Sequence, residues 1–263
     1  DSLNGSYWDF SDKSTRILLQ KMKRNGIPLK DYVNGQILAG IKTGRNKAFW
    51  IDSETKTKLT NGIQGSSDLI KKLIVGDNVR KWHIRNSGKW LLYMFHGIDT
   101  RGLSEVLTHL KKFKSELEGR AAKQKWYELQ QPQLRYTQAF ESPKIIFPDI
   151  AKEPRFAFDD SGAYIDMTAF AIPIRDLYLL GILNSGLVWE YLVETAAVLG
   201  DAHKGGRLRL KRQYVENIPI PKASSVNREA IETLVLKCLR AKGQNCDEWE
   251  KEIEKRIAPL YGV

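Results

Sequence analysis

The sequence is poor in the residues that build most familiar active sites. It has two cysteines, Cys238 and Cys246, eight apart in a stretch of helical character with no companion ligands. Neither a disulfide framework nor a zinc site is indicated, and a reducing cytoplasm suits such a chain. The four histidines, His83, His96, His109 and His203, keep no helical ligand spacing and receive no catalytic role. Gly-x-Gly is absent throughout, which removes the dinucleotide fingerprint and the usual glycine-rich cofactor loop. Gly200 to Gly206 has the span of a phosphate-binding loop, but Gly206 stands where the phosphate-gripping lysine belongs. No two prolines are adjacent, so the Asn/Asp-Pro-Pro-aromatic motif that holds a flipped base is missing. Pro148-Asp149 could open a metal-dependent nuclease site, yet no Asp/Glu-x-Lys follows; the only such tripeptide, Glu54-Thr55-Lys56, lies upstream in a polar turn. The longest apolar stretch, Leu177 to Leu199, is interrupted by Asn184, Ser185, Glu190 and Glu194 and reads as a buried helix rather than a membrane span. A first residue of Asp, with no charged-then-apolar leader, reads as a piece of a longer protein.

Acid is also in short supply. Against 42 Lys and Arg stand 31 Asp and Glu, a net charge of +11 with a pI near 9.5. That exceeds what solubility requires and points to nucleic acid or an acidic membrane surface, with a merely basic surface as the plain alternative. A 42% hydrophobic composition with seven Trp provides a real core.

The stretch from Asn34 to Asp52 organises the chain. Apolar runs at Ile37 to Ile41 and Ala48 to Ile51 flank Lys42-Thr43-Gly44-Arg45-Asn46-Lys47, which predicts a hairpin presenting three cations, a hydroxyl and an amide on a confined turn. Those groups suit phosphates and base edges. Ser14 to Asn25 predicts a connector helix, Ser53 to Ser67 a polar, turn-rich segment, and Asp68 to Val75 a short helix. Arg80-Lys81-Trp82 sets two cations beside an aromatic ring, a triplet able to clamp a phosphate and stack on sugar or base, or to form a half-buried rim. Lys89 to Phe95 predicts a central strand. Leu103 to Leu117 predicts an amphipathic helix closed by Gly119, with Lys111, Lys112 and Lys114 solvated. The loop from Lys125 to Tyr136 is dense in amides and aromatics; Gln133 and Arg135 there are either base readers or core lining. Strands are predicted at Pro143 to Phe147, Arg155 to Phe158 and Tyr164 to Ile174.

Lys204 to Arg212 carries five cations in nine residues. Arg207, Arg209 and Lys211 alternate with Leu208 and Leu210, so a strand there would have one basic face, suited to tracking a phosphate backbone, and one buried face. A solvated charge run is the alternative. Ile218-Pro219-Ile220-Pro221 marks a boundary, beyond which Ile231, Leu234, Val235, Cys238 and Leu239 form a helical stripe and Asp247 to Ile257 a second helix.

Taken together, Ile27-Pro28-Leu29-Lys30-Asp31-Tyr32-Val33, Gly40 to Phe49, Trp126-Tyr127-Glu128-Leu129, Pro143 to Ile150, Leu177 to Ser185 and Ile218 to Pro221 resemble the TaqI-like C-terminal specificity region of type IIG restriction-modification enzymes and related adenine-specific DNA methyltransferases. The resemblance implies an α+β target recognition domain with a mixed or antiparallel sheet, similar to those of type I specificity subunits. It would read double-stranded DNA for an N-terminal methyltransferase and nuclease of the same polypeptide in a bacterial or archaeal cytoplasm. It also implies no cofactor in this fragment, S-adenosylmethionine and Mg2+ serving the missing domains, and no membrane partner. The expected organisation is a connector helix over residues 1–26, a recognition domain over 27–221 and a helical tail over 222–263. Lys42, Arg45, Lys47, Lys204, Arg207, Arg209, Lys211 and Arg212 are the expected phosphate contacts, joined by Thr43, Arg80 and Lys81; Asn46, Gln133, Arg135 and Trp82 are the candidates for base edges. Two alternatives stand beside this reading: a nuclease using Asp149 as a metal ligand, and an interaction module that docks a catalytic domain and binds DNA only non-specifically.

Overall fold

A computed structural model describes residues 13–60, 69–121, 123–200 and 206–263. Two four-stranded sheets form its centre. In the first, Ala157–Asp159, Lys144–Pro148, Ala169–Ile172 and Leu38–Ala39 lie side by side, all antiparallel. In the second the order is Tyr164–Ile165, Ile70–Ile74, Trp90–Leu92, Trp50–Ile51, with only the first pair parallel. The architecture is α+β with mixed and antiparallel sheets, as the sequence predicts.

The predicted Asn34–Asp52 hairpin does not form. Leu38–Ala39 pairs with Ala169–Ile172 in the first sheet, whereas Trp50–Ile51 pairs with Trp90–Leu92 in the second. Residues 42–47 are therefore a crossover between sheets, ending in the helical turn Asn46–Phe49. Tyr164 to Ile174 likewise divides, its start in one sheet and its end in the other. The helix expected at Asp68 to Val75 is the strand Ile70–Ile74. Apolar residues spaced by three and four suit either state, and hydrogen-bonded partners on both edges decide for the strand. Part of the expected polar turn is a helix, Ser53–Thr60, begun by Asp52, whose Oδ1 accepts from the Thr55 amide at 2.7 Å. The long apolar helix breaks in two, Leu177–Leu183 and Gly186–Thr195. Ser185 caps the second, and the buried Asn184 side chain pairs with both backbone groups of Phe156, at 3.1 and 2.9 Å. No helix among the described residues is long and apolar enough to cross a membrane.

Two cores result. One gathers Met22, Leu29, Phe147, Phe156, Leu179 and Leu183 with residues from the last two helices, Ser225–Arg240 and Asp247–Tyr261. Those helices are thus packed into the molecule: the Cβ-less surface of Gly181 lets Ile231 and Val235 approach, and the hydroxyls of Tyr178 and Tyr261 donate to the carbonyls of Pro221 and Pro219, each at 2.7 Å. Pro219–Pro221 is itself a strand, paired with Gly26–Pro28 in a ribbon of two, where a proline leaves few ladder bonds unmade. The second core lies beneath the sheet of Trp50, Ile70 and Leu91 and includes Phe49, Leu110, Phe140 and Tyr164.

Candidate nucleic-acid interface

The crossover at 42–47 is fixed by its own chemistry. The buried Thr43 hydroxyl donates to Asn46 Oδ1 at 2.6 Å and accepts from the Arg45 amide at 3.1 Å. Gly44 turns the chain at φ +78°. A Cβ there would meet Arg120 Cδ at 2.5 Å. Arg120 staples the loop from outside it, donating to the carbonyls of Thr43, Trp126 and Leu117 at 2.8, 2.8 and 2.9 Å. Lys42 exchanges both backbone bonds with Gln131, at 3.1 and 2.8 Å, so the loop 130–136 lies against it. That second loop is held in turn by Tyr93, whose hydroxyl donates to Pro132 O at 2.9 Å, and by the buried Glu128, which accepts from Gly97 and Lys125 amides at 2.9 and 3.0 Å. Lys42, Asn46 and Lys47 line one side of a cavity of about 390 Å³ with Gln130 and Met167. Arg135 stands exposed on the turn Leu134–Tyr136.

A second cavity of about 350 Å³ is lined by Arg207, Lys152, Arg155, Asp77, Asp149 and Thr168. Arg207–Arg209 is a strand between Val198–Leu199 and Ile150–Ala151, with Leu208 and Leu210 buried and Arg207 exposed, the alternation that the sequence predicts. Met167 lines the first cavity and its neighbour Thr168 the second, so one turn joins the lining of the crossover cavity to that of the basic strand.

Several expected contact residues are otherwise employed. Trp82 is 2% exposed and its indole donates to Glu250, whose other oxygen lies 2.7 Å from Lys81 Nζ. This corrects the expected clamp: the hairpin of Val79–Arg80 and His83–Ile84 locks onto the last helix, and Trp82 offers no face to a base. Arg80 donates to the carbonyls of Asp77 and Val79 at 2.6 and 2.9 Å, and burial, with Arg155 and Arg85 nearby, lowers its guanidinium from the ordinary value. Thr43 is 3% exposed and shapes the loop rather than meeting a phosphate. Arg45 pairs with Glu116, Lys211 with Asp149 at 3.4 Å, and Arg212 with Glu216 at 3.1 Å. Gln133, at φ +57°, turns its amide toward Gly40 O at 3.5 Å. Lys204 lies outside the described residues. Asp149, the metal-ligand alternative, is not joined by two further carboxylates, histidines or thiols among the described residues. Residues that the sequence reading passed over include Lys152 and Arg155, which follow the strand Ile150–Ala151, and Met167, which carries no charge to betray it.

Residues 71–220, more than half of the chain, match the TaqI-like C-terminal specificity domain. The chain is 30% identical over 245 residues to the type II methyltransferase M.BanIII of Aneurinibacillus aneurinilyticus, a match covering 85% of this chain and 40% of that protein. The fold is similar to that of the type IIL restriction-modification enzyme MmeI, solved in complex with DNA, with a TM-score of 0.65 and 17% identity over 90% of this chain and 33% of the other. The type IIG restriction endonuclease BpuSI gives a TM-score of 0.54 at 15% identity, over 97% and 33% of the two chains. This chain thus spans well under half the length of the relatives it matches. By the extent of the family match, it belongs to the TaqI-like C-terminal specificity domains.

Proposed function

We propose that this chain reads a short double-stranded DNA site for a methyltransferase, and an endonuclease where one is present, carried N-terminally in the same polypeptide, as in a type IIG restriction-modification enzyme. The observation that carries the reading is the pair of basic cavities linked by one turn: Lys42, Asn46 and Lys47 of the pinned crossover line the cavity at Met167, and Arg207 of the basic strand lines the one at Thr168. Cations along such a surface hold phosphates and fix register, while amides and Arg135 reach base edges. In this reading the chain itself performs no chemistry, and S-adenosylmethionine and Mg2+ act in domains outside it. Family membership and the relationship to a DNA methyltransferase support the assignment.

Selection of bound duplexes from a random-sequence pool at about physiological salt tests it, since non-specific binding there is typically no tighter than ~10⁻⁶ M. An enriched motif of several base pairs is the expected result. Binding that fades with salt and enriches nothing would leave the chain as a docking module with generic charge.

A further inference from the structure

The turn Asp166-Met167-Thr168 is hung from three separate segments. The Met167 amide donates to Ile41 O at 3.0 Å and the Asp166 amide to Ile74 O at 3.2 Å, while Thr168 O accepts from the Asp149 amide at 2.8 Å. The Thr168 hydroxyl accepts from the Gly76 amide at 2.8 Å and donates to Asp166 Oδ1 at 2.5 Å. Two glycines make this closeness possible. A Cβ on Gly40 would lie 2.0 Å from Asp166 O, and one on Gly76 2.3 Å from Thr168 O, contacts no side chain tolerates. Neither glycine is needed for a positive φ, so close approach is their purpose.

What this clamp presents is Met167, a large apolar side chain 56% exposed. A single exposed methionine needs no explanation by itself. Its position is informative: every other residue lining its cavity, from Lys42 to Lys47 and Gln130, is polar, charged or glycine. The floor of the major groove offers donors and acceptors that such groups can meet, and one apolar group, the C5 methyl of thymine.

We propose that Met167 is a specificity-determining residue that reads a thymine by packing its side chain on the C5 methyl. This deepens the DNA-reading assignment above and rests on it. Met167 forms a wall of a cavity, a placement suited to lying on a groove methyl rather than parting two base steps, for which an apolar wedge must enter the stack.

The test uses the duplex returned by the pool selection. Each thymine is replaced in turn by deoxyuridine, which removes only the methyl, and binding is measured for the wild type and for Met167→Ala. The wild type is expected to lose about fourfold at one thymine, the worth of one buried methyl, and little at the others. Met167→Ala is expected to bind the thymine duplex more weakly by a similar factor and to be indifferent to uracil at that one position. Met167→Gln, which keeps the length of the side chain, should behave like the alanine variant, and equal unfolding midpoints should show the fold unchanged. Indifference of the wild type to uracil everywhere, a selected site without thymine, or a Met167→Ala protein that still senses the same methyl would each overturn the proposal. A uniform loss on all duplexes in Met167→Ala, with no uracil effect, would assign the side chain to wedging instead and also overturn it. Failure of the DNA-reading assignment is distinguishable, because it appears earlier, as a pool with no enriched motif, and removes this proposal with it.

Discussion

Replacing Arg207 and Arg209 together by alanine isolates the contribution of the basic strand to phosphate binding. Of the cations assigned to phosphates, Arg45, Lys211 and Arg212 already face Glu116, Asp149 and Glu216. Among the described residues, Lys42, Lys47, Arg207 and Arg209 show no ion pair, and Arg209 Nε is buried with no hydrogen-bond partner. Each phosphate neutralised contributes about 0.9 to the slope of log affinity against log salt, so the four would supply ~3.6 and the double variant would lose ~1.8. Between about 50 and about 200 mM salt, a slope difference of ~1.8 narrows the advantage of the wild type roughly tenfold. Fluorescence anisotropy titrations across that range, on the selected duplex and on an unrelated one, measure both slopes. Both duplexes should lose equally, because phosphates carry no sequence. Arg212→Ala serves as the control: its guanidinium is held by Glu216 and by Gly35 O at 3.3 Å, and its removal should change the slope by clearly less than ~0.9. A double variant with an unchanged slope would remove the basic strand from the interface.

The lock on the last helix should matter to stability and not to sequence choice. Glu250→Ala leaves the Lys81 ammonium and the Trp82 indole without their acceptor and is expected to cost about 1 to 3 kcal/mol in denaturant unfolding, with the selected motif unchanged; a changed motif would place Trp82 back in the reading surface. Lys144 is fully buried, 2.6 Å from Asp159, and burial lowers its ammonium from the ordinary value against the pull of that carboxylate. Lys144→Met strands Asp159 and should cost about 3 to 5 kcal/mol, largely recovered by adding Asp159→Leu; no recovery would mean that the pair is not the source of the loss. His109 donates from Nε2 to Ala48 O at 3.1 Å beneath the crossover, and burial, aided by Lys112, lowers its imidazole below the usual value in spite of that bond. The unfolded chain then takes up this proton before the folded one does, so the stability present above the usual imidazole value is lost as pH falls through the folded value. His109→Gln should flatten that decline, and an identical pH profile would exclude His109 as its source.

Charge balance and the alternation through Arg207 to Lys211 made a basic chain with one charged and one buried face at that strand legible from sequence, because periodicity and composition report exposure and charge locally. The strand at 207–209 and the two final helices follow from the same local patterns. Partner choice was not legible. Residues 34–52 read as one hairpin and 164–174 as one strand, yet each divides between two sheets, since which edge a strand finds depends on segments about 20 to 130 residues away. The same holds for the site. Cations near an aromatic ring look alike in sequence whether they await a phosphate or hold a helix, and only the arrival of Glu250 tied the half-buried Lys81 and the buried Trp82 to the last helix. Met167 became visible only once Gly40 and Gly76 let two distant segments close on its turn and set it against the crossover at 42–47. Local sequence thus determined the charge, the faces and most of the helices; tertiary packing decided which charged and apolar groups remained for a partner, because ion pairing and burial are settled between residues far apart in the chain.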